Sequence, residues 1–259
     1  MSRRFIFTVD LDRDVNTPVK GDAVAGSMDR GSGTGPRFSS TERGLGMLLD
    51  LLDDIGMKAT FFVEGRTSEM IDCSSVSGHC IGFHGYQHED LLGQDTGVEV
   101  DCGEVLVRGF DAVSDNVSRP VCFRAPYMRV DERILEIVSG LGIRHDSSVY
   151  RRPDEGLDPY LTVNGMTEHP VPKTKDSRGK VIVSYLWPMH EGRRGPGDYI
   201  AMADSLGCDD FILATHTWHM VESYDNGLMS EERAESNMGN LRAVLEGIID
   251  SGRTPATMV

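Results

Sequence analysis

Positive charge is in short supply in this chain. Its 259 residues carry 26 Lys and Arg against 41 Asp and Glu, a net charge of −15, and the only lysines are Lys20, Lys58, Lys173, Lys175 and Lys180. A field of that sign excludes nucleic acid and anionic membrane surfaces as natural partners. Long apolar runs are also missing. Nothing approaches the ~18 residues of a spanning helix, so no membrane span is expected. The apolar stretch Phe5-Ile6-Phe7-Thr8-Val9 is too short for the core of a signal peptide, and acidic residues follow it at once. It reads as the first strand of a cytoplasmic protein. The 5 cysteines are odd in number and form no CxxC, which excludes a disulfide framework and a Cys-rich zinc site. With 39% hydrophobic and 26% charged residues, the chain is too apolar to be disordered.

What is present is alternation. Arg4–Asp10 reads as a strand, and Leu45, Leu48, Leu49, Leu52 and Ile55 follow at helical spacing until Gly56. Ser39-Ser40-Thr41-Glu42 has the form of a capping box at the start of that helix. Further strands are expected at Lys58–Val63, Cys80–Phe83, Val121–Phe123, Ile143–Asp146, Lys180–Leu186, Phe211–Thr215 and Pro255–Met258. Helices are expected at Glu104–Asn116, Arg133–Val138 and Ser230–Ile249. Strands separated by helices predict a parallel sheet with crossover helices. No linker or repeat stands out, so residues 1–259 are read as one domain. The Gly- and Ser-rich stretch 13–40 is long for a loop, which points to a functional or mobile segment.

Polar residues gather at the strand ends. Asp10 and Asp12, two apart, share one face of an extended chain. Taken alone, each reads as a turn or cap residue; at the C-terminal end of a strand in an α/β protein, a site is the better reading. His84 and His88 form an H-x-x-x-H pair after a strand, a spacing that on a helix lets both imidazoles share a metal. Phe123-Arg124-Ala125-Pro126-Tyr127 ends another strand, Asp146 a further one, and Leu213-Ala214-Thr215-His216 a late one. His219 competes with His216, but lies in the following loop. His79 is read as a surface residue, and Glu89 and Asp90 as either orienters of the imidazoles or solvated charges. Titratable groups delivered to one end by several strands are the layout of a barrel active site.

These motifs occur in order: Thr8-Val9-Asp10-Leu11-Asp12, Lys58–Val63, His84-Gly85-Tyr86-Gln87-His88, Phe123–Tyr127, Asp146-Ser147-Ser148 and Leu213–His216. In that order they resemble the polysaccharide deacetylases, the NodB-homology or carbohydrate esterase 4 family. The resemblance implies a single deformed (β/α)7 barrel and a metal-dependent hydrolase of amide C–N bonds. The favoured reaction is N-deacetylation of an N-acetylated sugar or polysaccharide precursor, with release of acetate. By the same resemblance Asp12, His84 and His88 hold one divalent ion. Zn2+ is preferred for two imidazoles and a carboxylate, with Co2+, Ni2+ or Fe2+ able to fit. Asp10 would be the general base, held by Arg124. The backbone N–H of Tyr127 would stabilise the oxyanion. His216 would protonate the leaving nitrogen, oriented by Asp146, which would also raise its pKa. Many members have adjacent aspartates where Leu11 separates Asp10 from Asp12. The D-x-D form resembles the branch of cytoplasmic peptidoglycan-deacetylase-like and allantoinase-like proteins, which makes a ureide or cyclic imide the alternative substrate. Tyr150 stands near the position where many members place a tryptophan lining the acetyl pocket. A catalytically silent carbohydrate-binding barrel is a third reading. Partners are then a small-molecule or oligosaccharide substrate, and the sequence leaves a homo-oligomer open.

Overall fold

The computed structural model describes residues 3–259; Met1 and Ser2, where the N-terminal reading begins, lie outside the described residues. The first strand, Arg4–Leu11, is the axis of the fold. From Phe5 onward it is buried on both faces. Phe5, Phe7, Val9 and Leu11 pack outward with Leu45, Leu48 and Leu52 of the helix Ser39–Asp54 and with Leu241, Leu245 and Ile248 of the helix Glu231–Asp250. Ile6 belongs to a second set with Phe62, Cys122, Ile212 and Met258. The period of two therefore puts Ile6, Thr8 and Asp10 in one column on the opposite, inner face.

Among the described residues the main sheet has nine strands, eight of them in the order Asp210–His216, Arg4–Leu11, Thr60–Val63, Cys80–Phe83, Cys122–Phe123, His145–Asp146, Thr167–Glu168 and Tyr160–Leu161. The ninth, Thr254–Ala256, pairs beside the first half of Arg4–Leu11, and Thr60–Val63 pairs beside its second half. All pairs are parallel except the last, between Thr167–Glu168 and Tyr160–Leu161. The sheet is strongly curled. Three strand-to-strand steps separate Asp10 from Arg124, ~14 Å in a flat sheet, yet Arg124 Nη1 lies 2.9 Å from Asp10 Oδ1. Gly82 permits this closure on the inner face, because a Cβ there would meet the Phe62 ring at 2.6 Å and Cys122 Sγ at 2.7 Å. Among the described residues no helix is long and apolar enough to cross a membrane.

Three local expectations need correction. Lys180–Leu186 does not join the parallel sheet. Val181–Val183 pairs antiparallel with Val171–Lys175, a strand without a clear period, and the run meets the barrel through a parallel bridge of Tyr185 to Ala214 and through Ser184 Oγ on the Ile212 carbonyl. The capping box at Ser39 does not form. Phe38 is the N-cap, and the buried N–H groups of Ser40 and Thr41, which have no partner within the helix, donate instead to the Asp14 carboxylate, at 3.0 and 2.7 Å. His79 is half-buried, with its ring on Phe61 and its Nδ1 accepting from Ala59 N–H. The segment 13–40 is tied down at several points. Arg13 pairs with buried Glu64, Asn16–Thr17 pairs with Gly26–Ser27, and Arg30 and Arg37 both reach buried Glu222.

Candidate active site

The C-terminal ends of the strands open on a cavity of ≈ 220 Å³ lined by Asp10, Asn16, His84, His88, Ala125, Tyr127, Met128, Tyr150, Tyr185, Trp187 and His216. Asp12 lies directly beneath it, fully buried. One ligand atom from each of Asp12, His84 and His88 falls within 4.8 Å of the others. No helix brings the two histidines together. Gly85 at φ 73° and His88 at φ 53° turn the chain back on itself, and such a non-Gly positive φ is strained backbone held by its surroundings. Glu89 holds this turn, with its carboxylate accepting from the N–H groups of Tyr86 at 3.1 Å and Gln87 at 2.8 Å. Burial pushes the Glu89 carboxyl up to about 7. Asp90 likewise accepts from the Asp95 and Thr96 N–H groups. Both acids thus bind backbone rather than the imidazoles.

The cluster has the properties of a cation site. His84 Nδ1 is 2.7 Å from the Arg124 carbonyl, which places its proton on Nδ1 and leaves Nε2 bare. His88 Nε2 lies 3.5 Å from Asp12 Oδ2, Asn16 Nδ2 donates to the same oxygen, and Asp12 Oδ1 is buried without a partner. Burial, with Asp10 and Glu64 nearby, raises Asp12 well above the carboxylate range. Burial also lowers His84 and, reinforced by His84 and Arg13, drives His88 well below the usual imidazole value. Neutral imidazoles beside a destabilised carboxylate are the ligand forms a divalent ion needs, and a positive ion would offset the cost of burying Asp12. The residues present fit such an ion.

Beside this cluster lies a second group. Asp10 accepts from Arg124 Nη1 at Oδ1 and from the Tyr185 hydroxyl at Oδ2, at 2.9 and 2.5 Å. Burial works to raise Asp10, but Arg124, His84, His216 and Tyr185 together hold it below the ordinary carboxylate value. Arg124 is fixed in turn by Thr8 Oγ1 and by the carbonyl and hydroxyl of Ser147, with its guanidinium over the Phe62 ring. His216 Nε2 lies 3.0 Å from the Tyr185 hydroxyl and 4.0 Å from Asp12 Oδ2. Tyr127, at φ 57°, packs its ring edge-on against that of His88, with centroids 4.5 Å apart. His219 is excluded from the cavity lining: it pairs with Glu191 at 3.2 Å, and the Trp187 indole packs against both His216 and His219.

The expectation for Asp146 is overturned. Its carboxylate accepts from Ser148 Oγ at 2.6 Å and adjoins Glu168, its register partner on the next strand. Ser148 Oγ in turn accepts from Ala125 N–H at 2.8 Å. Asp146 therefore supports the turn 124–127 and does not orient His216; at the edge of the curl it sits beside Glu168 rather than the strand of His216. Burial raises Asp146, and burial beside Asp146 raises Glu168 well above its usual value, because two buried carboxyls cannot both ionise cheaply. The raised pKa expected for His216 fails for the same reason. With no carboxylate on its Nδ1, burial lowers it to about 3. Sequence reasoning missed Asn16, Tyr185 and Trp187. Asn16 belongs to a segment with no period, and Tyr185 was legible only as one position in an apolar run.

A sequence model described as polysaccharide deacetylase matches residues 19–145, a span containing His84, His88 and Arg124 but not Asp10, Asp12, Asp146 or His216. A peptidoglycan deacetylase-like protein of Gibberella zeae is 30% identical over 141 residues, covering 49% of this chain and 41% of that protein. The chain spans less than half the length of the curated relatives it matches. A family 4 carbohydrate esterase from Streptomyces lividans superposes with a TM-score of 0.54 at 12% identity, over 100% of this chain and 95% of that one. The Puue allantoinase does so with a TM-score of 0.64 at 15% identity, over 99% and 88%. At these identities the superpositions speak for the curled α/β fold. The matched sequence span, the ordered motifs and the fold agree in one likeness, to the polysaccharide deacetylases of the NodB-homology form.

Proposed function

We propose that residues 1–259 form one barrel domain that hydrolyses amide C–N bonds with the help of a divalent ion, and that its reaction is N-deacetylation of an N-acetylated sugar. The observation that carries the reading is the meeting of two groups in one cavity: the Asp12, His84 and His88 cluster and the Arg124-held carboxylate of Asp10. Asp12 Oδ, His84 Nε2 and a His88 ring nitrogen would hold the ion, with Zn2+ the best match and Co2+, Ni2+ or Fe2+ acceptable. Such an ion would polarise the acetyl carbonyl and acidify a water.

The chain's own residues have separate tasks. Asp10, kept ionised by Arg124, takes the proton of the attacking water. The backbone N–H of Tyr127 donates to the carbonyl oxygen as charge develops there. His216 delivers a proton to the leaving nitrogen. Burial holds it neutral at rest, so it works as a neutral N–H donor to that nitrogen, and the proton it gives up is replaced by the one that Asp10 takes from the water. Tyr150, Trp187 and Met128 form the apolar part of the wall.

The cavity of ≈ 220 Å³ suits a single ring, which keeps hydrolysis of a ureide or cyclic imide as the second reading. The test is acetate release from chitooligosaccharides, run alongside ammonia or ring-opened product from allantoin and simple imides, with metal content measured on the same preparation. Acetate release abolished by chelation and restored by a divalent ion supports the proposal. Turnover of ureides alone replaces it with the second reading, and a loaded protein inert on all of them leaves a binding barrel.

A further inference from the structure

One polar group in the cavity has no task in the assignments above. Tyr185 follows the strand Val181–Val183 and bridges to Ala214, which carries its ring alongside that of His216, with centroids 5.1 Å apart. Its hydroxyl touches both members of the base and acid pair: Asp10 Oδ2 at 2.5 Å and His216 Nε2 at 3.0 Å. A phenol has one proton and cannot give it to both. The shorter contact, to a carboxylate, is the charge-assisted one and takes the proton. The phenol oxygen is then left to accept, and His216 must present Nε2–H to it. His216 Nδ1 is buried and has no partner, so no hydrogen bond on the far side of the ring competes for the choice of tautomer.

We propose that Tyr185 is a positioning residue of this site, which ties the second oxygen of Asp10 and fixes His216 as the Nε2–H tautomer with that nitrogen turned into the cavity. The proposal rests on the reading of Asp10 as base and His216 as acid. With Arg124 on Oδ1 and Tyr185 on Oδ2, the Asp10 carboxylate is clamped about its Cβ–Cγ bond, and its remaining lone pairs are aimed at one place. The clamp also joins base and acid in one hydrogen-bonded line, so neither can turn without disturbing the other. Burial beside Asp10 raises the Tyr185 hydroxyl well above the usual phenol value, so it remains a donor across the working range. On the other side the Trp187 ring meets His216 edge-on at 5.4 Å, which leaves the imidazole little room to flip.

The experiment uses the whole chain with Tyr185→Phe. In metal-free protein labelled with 15N-histidine, His216 should appear as Nε2–H in the wild type and as a tautomer mixture in the variant. In metal-loaded protein, kcat on chitooligosaccharides should fall about 10- to 100-fold, KM should stay within about threefold, and metal content should not change. A wild-type His216 protonated on Nδ1 would overturn the proposal, as would a variant that keeps both the Nε2–H spectrum and the wild-type kcat. Should Tyr185→Phe fail to fold, 3-fluorotyrosine at position 185 keeps the hydroxyl but makes it a stronger donor; an unmoved His216 resonance then refutes the contact. A wild-type protein that releases no acetate would remove the functional reading, while the tautomer spectrum still decides the role of Tyr185.

Discussion

The two ends of the barrel handle buried charge in opposite ways. At the N-terminal ends of the strands, charge is paired and capped. Arg4 holds Asp210 with two nitrogens at 2.7 and 2.5 Å and His145 meets His169 at 3.0 Å, while His169 Nδ1, 3.5 Å from the same carboxylate, is buried without a hydrogen bond. Arg253 is buried there and donates to the carbonyls of Ala203, Arg4, Cys208 and Leu206. At the C-terminal ends, polar atoms are left without partners: Asp12 Oδ1, His88 Nδ1, Tyr127 Oη and His216 Nδ1 are all buried and unsatisfied. Buried polar groups cost stability unless paired, so the lower end holds the fold together while the mouth draws on that stability to keep reactive groups available. Substitutions at the two ends should therefore move different observables.

The largest effect is expected at the mouth. Asp10→Asn should lower kcat by about two to four orders of magnitude while metal content is retained, measured by steady-state kinetics and metal analysis on one preparation. Loss of the metal in that variant, with Asp12→Asn still loaded, would exchange the roles of the two aspartates. Next comes the lower end. Arg253→Ala strands several buried carbonyls and should cost about 3 kcal/mol in urea unfolding, with kcat unaltered below the transition.

Asp12→Asn should do the reverse in metal-free protein and add about 1–2 kcal/mol, at the expense of metal affinity. Because burial raises Asp12 above its unfolded value, its carboxylate costs stability as pH rises past the ordinary carboxylate range. The gain should accordingly be present at neutral pH and vanish near about pH 3. Asp210 gives the smallest effect and the opposite sign. Burial works to raise it, but His169 and Arg4 hold it at about 2. Its contribution, about 1 kcal/mol after allowance for the half-exposed Arg4, is present above the ordinary carboxylate range and lost as pH falls through about 2. Thermal melts of wild type and Asp210→Asn should converge over that acid window; parallel curves would show that the pair is not what lowers Asp210.

The site was legible where a motif is local. His84 and His88 sit four residues apart in a tight turn, and Asp10 and Asp12 flank Leu11 at the end of one strand, so short-range geometry already constrains both pairs. It was illegible where a partner is chosen across the sheet. Asp146 and His216 both end strands, and nothing in either segment says which neighbours the curl will give them. The structure gave Glu168 to the first and Tyr185 to the second. The same holds for the helix Ser39–Asp54, whose cap signal was local on paper but whose actual cap, Asp14, comes from 25 residues upstream of Ser39.

Two things were determined by the sequence alone. The period of two along Arg4–Leu11 decided that Ile6, Thr8 and Asp10 share the inner column, because the pleat alternates whatever the tertiary context. The alternation of strand and helix decided that the sheet is parallel, because the connections are too long for hairpins. The tertiary structure alone decided which buried carboxyl would be paired, which imidazole would be neutral and which phenol would clamp Asp10. Those outcomes depend on burial and on contacts between residues more than a hundred positions apart, such as Arg124 with Asp10 and Tyr185 with Asp10. Hydrophobic periodicity records which way a side chain faces; it carries no record of what it will meet there.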